Sequence, residues 1–214
     1  MKKTAITLVA TVLLSQHALA ASEALEKSDA VSNLQQTMAK HSQFTSQFVQ
    51  TVTDINGQVL QQGKGELSLS IPDRFNWHAV EPDESLIVAD GENIWVYNPF
   101  IEQVTLMSLQ QAIQASPMAL LVQESSDAWD NYEVEQLQAC YQITPKEALL
   151  SGPNPSMLRQ ASVCFENDYL SSLRLADSQG NTTLFKLTNH QDNPAAELFR
   201  FTPPQGVEID DQRP

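Results

Sequence analysis

The sequence predicts a mainly β (α+β) protein, one large curved antiparallel sheet with a few helices laid against it. Three observations carry this. Apolar–polar alternation in strand-length segments begins near residue 43 and continues almost to the end of the chain. Asn56-Gly57 and Asp90-Gly91 fall between such segments and suit tight hairpins. No alternation of strand and helix, internal repeat or low-complexity linker is present.

The elements follow in chain order. MKKTAITLVATVLLSQHALA has Lys2 and Lys3, an apolar run and Ala18-Leu19-Ala20, the pattern of a secretory signal peptide cut after Ala20. Its apolar run is too short to span a bilayer, and no cysteine stands at the cleavage site. The remaining 194 residues suit one domain with a sizeable core. Val31, Leu34 and Met38 share one helical stripe, predicting an amphipathic helix over 23–41. QFTSQFVQTV and QVLQQG flank the Asn56-Gly57 turn. GELSLSI and RFNWHAV are split by Pro72-Asp73, ESLIVA and NIWVYN flank Asp90-Gly91, and QVTLMSL follows Pro99.

The middle of the chain changes character. Leu109, Ala112 and Ile113 suggest a helical turn. Ser116-Pro117 is an N-cap followed by a first-turn proline. The helix it opens, 118–122, is apolar on every side and must be buried or must cover an apolar cavity. Further strands are expected at 132–137, 139–144, 158–166, 169–176, 182–188 and 196–202.

Charge narrows the function classes. After removal of the first twenty residues, 10 basic residues face 26 acidic ones, about −16 in all. That balance opposes nucleic-acid binding, which draws its affinity from Lys and Arg at phosphates, and disfavours anionic membrane surfaces.

Catalytic candidates are few. His41, His78 and His190 sit in unrelated segments, and no nucleophile, phosphate-loop, dinucleotide or metal motif accompanies them. Alternation in RFNWHAV puts Phe75 and Trp77 on one face and Arg74, Asn76 and His78 on the other, polar one. Cys140 and Cys164 each fall on the polar face of their strand. If the strands pair, the two thiols are in register for a cross-strand disulfide, a staple and not a redox site. No enzyme, cofactor or metal is expected. The aromatic set, with Phe44, Phe48, Phe75, Trp77, Trp95, Tyr97 and Phe100, is larger than one sheet with few helices needs for its core. An incompletely covered apolar face is a ligand or partner site.

The run LSIPDRFNWHAVEPDESLIVADGENIWVYNPFIEQV, with FTPPQGVEIDDQR near the end, resembles the LolA family of periplasmic lipoprotein carriers. The resemblance implies an incomplete antiparallel β-barrel with a lid of short α-helices over a hydrophobic cavity. It implies acyl-chain contacts for Phe75 and Trp77, for Trp95 and Phe100, and for Met118, Leu120 and Leu121 of the lid; Phe48 joins them from the aromatic set. It implies acylated lipoproteins as cargo, an inner-membrane ABC-type release complex (LolCDE-like), an outer-membrane receptor (LolB-like), a monomer, and only transient membrane contact. The family commonly has arginine directly before the proline of the lid loop, and here that position is Ile71. Either Arg74 takes the role from a shifted position or the lid is latched differently. The pathway's receptor would need a lipobox cysteine, which is absent; a periplasmic lipid- or lipoprotein-sensing regulator with a similar half-barrel is the alternative.

Overall fold

The alternating segments form twelve strands of a single sheet. The computed structural model describes residues 30–109, 111–112, 117–123, 126–151 and 155–214. The expected signal peptide lies outside the described residues, as do the start of the expected first helix, Ile113 and Ser116. Helix α1 is described over 30–40. Six strands then run as a meander: β1 (Gln43–Thr53), β2 (Val59–Ser70), β3 (Arg74–Glu81), β4 (Ser85–Asp90), β5 (Asn93–Asn98) and β6 (Gln103–Ser108). Leu109, Gln111 and Ala112 are the described part of a short helix α2. Helices α3 (Pro117–Leu121) and α4 (Ser126–Trp129) precede β7 (Tyr132–Leu137) and β8 (Cys140–Pro145). After α5 (Glu147–Leu150) come β9 (Leu158–Glu166), β10 (Tyr169–Asp177) and β11 (Thr182–Asp192), then a 3-10 turn (Ala196–Phe199) and β12 (Glu208–Asp211).

The strand order is β12-β6-β5-β4-β3-β2-β1-β11-β10-β9-β8-β7. The sheet stays open and curved, with β12 and β7 as its edges. Every pairing is antiparallel except that of β12 with β6, which is parallel. The antiparallel sheet expected from the sequence is present, with this one parallel strand added at its edge. The chain crosses the sheet's outer face after β11, so it reaches β6 travelling in the same direction.

Aspartates organise the tight turns. Asp54 Oδ1 accepts the backbone N–H groups of Asn56 (2.9 Å) and Gln58 (2.8 Å), and Gly57 takes a φ of +79°. Asp90 Oδ1 likewise accepts from Glu92 and Asn93, at 2.9 and 2.8 Å. These turns lock the hairpin registers, and a one-residue slip would exchange the two faces of the sheet.

The main core lies on the concave face. Leu34 and Met38 of α1 share it with Ile143, Val163, Leu170 and Leu173 of β8–β10. This is the stripe expected of an amphipathic helix, spent against a sheet. On the outer face a smaller cluster forms. Val88, Trp95 and Leu106 are cross-strand partners, as are Tyr97 and Val104. Phe201 packs on the rings of Trp95 and Tyr97 at 5.8 and 5.7 Å, and Phe199 is buried beside them.

The strand expected at 196–202 is therefore absent. Those residues form the 3-10 turn and an extended stretch, because burying Phe199 and Phe201 on the sheet face wins over joining the ladder. Burial of one such side chain is worth about 2–3 kcal/mol. The Asn76 amide donates to the Leu198 carbonyl at 2.7 Å and ties the turn to β3.

Candidate functional site

The two cross-strand rows opposite that outer cluster build a cavity. Phe75, Ala89, Ile94 and Met107 are in register across β3 to β6, as are Trp77, Ile87 and Val96. All of these but Ala89 line an apolar cavity of about 350 Å³. Leu175 of β10 and Phe185 of β11 close one side, Ala112 and Ala119 close the top, and Gln50 of β1 is the one polar lining side chain among the described residues. Phe48 backs the wall. Its ring stacks on Trp77 at 4.1 Å, and Phe185 meets both edge-on at 5.8 and 4.7 Å.

The lid is the short helix α3. Leu120 and Leu121 are buried in the core that surrounds the cavity, while Ala119 supplies the wall itself. The side chain of Met118 lies outside the described residues. Two hydrogen bonds fix the lid to the β2–β3 loop. The Asp73 backbone N–H donates to the Val122 carbonyl at 2.9 Å, and Gln123 Nε2 donates to Asp73 Oδ1 at 2.8 Å. Asp73 holds a φ of +65°, a region Asp tolerates better than most residues.

Ile71 packs against the core and donates its N–H to the Ser42 carbonyl at 2.8 Å. Arg74 points to the outer face. Its Nη2 donates to Ser70 Oγ at 2.9 Å and its guanidinium lies 5.7 Å from the Phe199 ring centre. The polar contact with the lid belongs to Asp73, which the sequence did not single out.

Two expected lining residues are corrected. Trp95 lies on the outer face beneath Phe201, its indole N–H donating to Asp90 Oδ2 at 2.8 Å. Phe100 sits at the tip of the β5–β6 turn and is 90% exposed. In NIWVYN both faces are apolar, so composition does not tell the rows apart. Register does. With Phe75 and Trp77 facing the cavity, the Asp90-Gly91 hairpin selects Ile94 and Val96 and rejects Trp95. The same propagation would have found Ile87 and Met107. Phe185 and Leu175, on strands far along the chain, carried no such local signal.

The histidines and cysteines lie outside the cavity lining. His78 lies on the outer face, 3.1 Å from Glu84, with both side chains well exposed. His41 and His190 stack on opposite sides of the Tyr169 ring, at 3.5 and 4.7 Å. Tyr169 donates to Asp192 at 2.9 Å, and Ser46 Oγ is hydrogen-bonded to His190 Nδ1. Burial foremost, then the charge of His41, lowers the His190 pKa, against Asp192 and Glu166. Cys140 and Cys164 are cross-strand partners joined in a disulfide.

The model of the family described as "Outer membrane lipoprotein carrier protein LolA" matches residues 39–202. The chain belongs to the LolA family. The matched span runs from the end of α1 to the residue after Phe201, so it includes the cavity wall, the lid and the outer-face cluster. A relative from Shewanella loihica, named outer-membrane lipoprotein carrier protein, is 45% identical over 184 residues, covering 84% of this chain and 85% of the relative. A relative of the same name from Shewanella sp. strain MR-7 is 39% identical over 215 residues, covering 100% and 98%. A conserved protein of known structure from Thermus thermophilus shares the fold, with a TM-score of 0.50 at 12% identity, over 85% of this chain and 99% of that one. No helix among the described residues is long and apolar enough to cross a membrane.

Proposed function

We propose that this LolA-family chain is a periplasmic carrier, a binding protein and not an enzyme. It takes acylated lipoproteins released from the inner membrane, shields their acyl chains in the cavity, and delivers them to an outer-membrane receptor. Export follows cleavage after Ala20 and leaves a single domain. The observation that carries this is the wall of Phe75, Trp77, Ile87, Ile94 and Val96 under a helical lid. Such a wall offers acyl chains what water denies them, at about 0.8 kcal/mol per buried CH₂.

The cavity volume defines the working cycle. At about 350 Å³ it exceeds roughly twofold an engineered cavity that takes one benzene. A cargo with several long chains needs more room, so loading displaces α3. A carrier must also let go, so its hold is weaker than that of a bilayer and loading is driven from outside. An ATP-driven, LolCDE-like inner-membrane complex supplies that drive, and a LolB-like receptor takes the cargo onward. With Lys2 and Lys3 removed, the exported chain's charge of about −16 keeps it off anionic lipid surfaces between the two encounters.

The test places a carboxylate in the wall by Trp77→Glu or Val96→Glu. Each variant should keep a native circular dichroism spectrum yet lose release of lipoproteins from spheroplasts. Unchanged release by a folded variant would overturn the cavity assignment.

A further inference from the structure

Gln50 is the polar exception in an apolar wall. On β1 it pairs with Phe185 of β11 and Gly63 of β2, one concave-face step beyond Phe48 toward the Asp54–Gln58 turn. The β2 positions beside it carry no side chain. A Cβ at Gly65 would fall 2.1 Å from the His78 carbonyl oxygen and 2.5 Å from the Phe48 ring, and one at Gly63 would fall 2.6 Å from the Glu81 carbonyl oxygen. Among the next concave-face residues, Val52 and its partner Thr183 are half-buried and its partner Gln61 is exposed. Gln50 thus marks the boundary between the aromatic wall and the wet end of the half-barrel. Its side-chain amide has no hydrogen-bond partner among the described residues.

An amide at that boundary suits one feature of a fatty acyl group. Ester- and amide-linked chains are pure hydrocarbon except for a carbonyl at the linked end, and a carboxamide N–H is a fitting donor to it. From β1 to β6 the wall spans five inter-strand spacings of about 4.8 Å, roughly 24 Å along the sheet. A membrane lipid chain fills about 15 Å, so a whole chain fits along the wall from Gln50 toward Met107. Resting on the carrier reading above, we propose that Gln50 determines specificity for acyl chains: its amide donates to the linkage carbonyl. The chain is then held with its polar linkage at the β1–β2 end and its methyl end directed toward Met107 and Ala119.

The test compares two synthetic lipopeptides, one dipalmitoylated through esters and one with the same chains linked as ethers. Binding is measured by calorimetry to the native protein and to Gln50→Leu. Gln50→Leu should weaken the ester lipopeptide roughly tenfold, the worth of one hydrogen bond, and leave the ether lipopeptide within about twofold. Equal weakening of both ligands, or of neither, overturns the role of Gln50 while leaving the cavity reading intact. Failure of the native protein to bind either ligand overturns the carrier reading and this inference with it.

Discussion

Gln123 and Asp73 join the lid to the loop that precedes the FNW strand, with Gln123 Nε2 donating to Asp73 Oδ1 at 2.8 Å. The neighbouring residues of α3 are held by burial, which is non-directional, so this pair and the Asp73–Val122 backbone bond give the lid its bearing. Gln123→Leu removes one hydrogen bond and should cost about 1 kcal/mol locally. Amide exchange over 117–123 should then quicken about fivefold, with the urea midpoint of the sheet unchanged. Unaltered exchange would deny the latch.

Trp95 and Trp77 should separate stability from cargo handling. Trp95→Phe keeps a ring against Phe201 but leaves Asp90 Oδ2 without its indole donor. It should lose about 1–2 kcal/mol in urea unfolding and release lipoproteins normally. Trp77→Ala should do the reverse in proportion, impairing release more than its stability loss explains. Equal profiles for the two would contradict the assignment of opposite faces.

Gly65 tests how closely β2 and β3 approach. An alanine methyl there would meet the His78 carbonyl oxygen at 2.1 Å, and backbone cannot move aside as a flexible side chain would. Gly65→Ala should destabilise by about 3 kcal/mol or more, read as a lower denaturation midpoint. A native midpoint would show that the strands spread freely.

The pH dependence of stability should carry the mark of His190. Its pKa is lowered from the ordinary 6.5 by burial and by His41. The folded state therefore binds fewer protons than the unfolded one. The stabilisation is full above 6.5 and is lost as pH falls through the folded value. Denaturation midpoints between pH 7 and 5 should fall for the native protein and fall less for His190→Asn. Parallel curves would remove His190 from the account.

The Cys140–Cys164 disulfide, 24 residues apart in sequence, should contribute about 3 kcal/mol through the unfolded state. Cys140→Ser with Cys164→Ser should lower stability by that amount. It should leave amide protection in β3–β6 in place, because the staple sits at the far end of the sheet.

Much of this fold was legible because its signals are local. The Asn56-Gly57 and Asp90-Gly91 turns sit where alternation breaks, and the facing of Phe75 and Trp77 against Asn76 and His78 follows from the pleat alone. What escaped depends on distant partners. Phe201 is 106 residues from Trp95 in the chain, and only its arrival makes the Trp95 row an interior surface of its own. Asp73 and Gln123 are ordinary loop residues until the lid folds back over them. Phe100 looked like lining by its type, but a turn tip leaves it no wall to join.

An open sheet has two borders, and both are acidic. Strand β7 presents Glu133 and Glu135, and β12 presents Glu208, Asp210 and Asp211. Borders with unmatched backbone groups invite closure on each other or zippering with a second molecule. Carboxylates on a border repel the like-charged border of a second molecule within a Debye length of about 8 Å. A second molecule that approaches either border edge-on meets like charge, which discourages stacking into fibres.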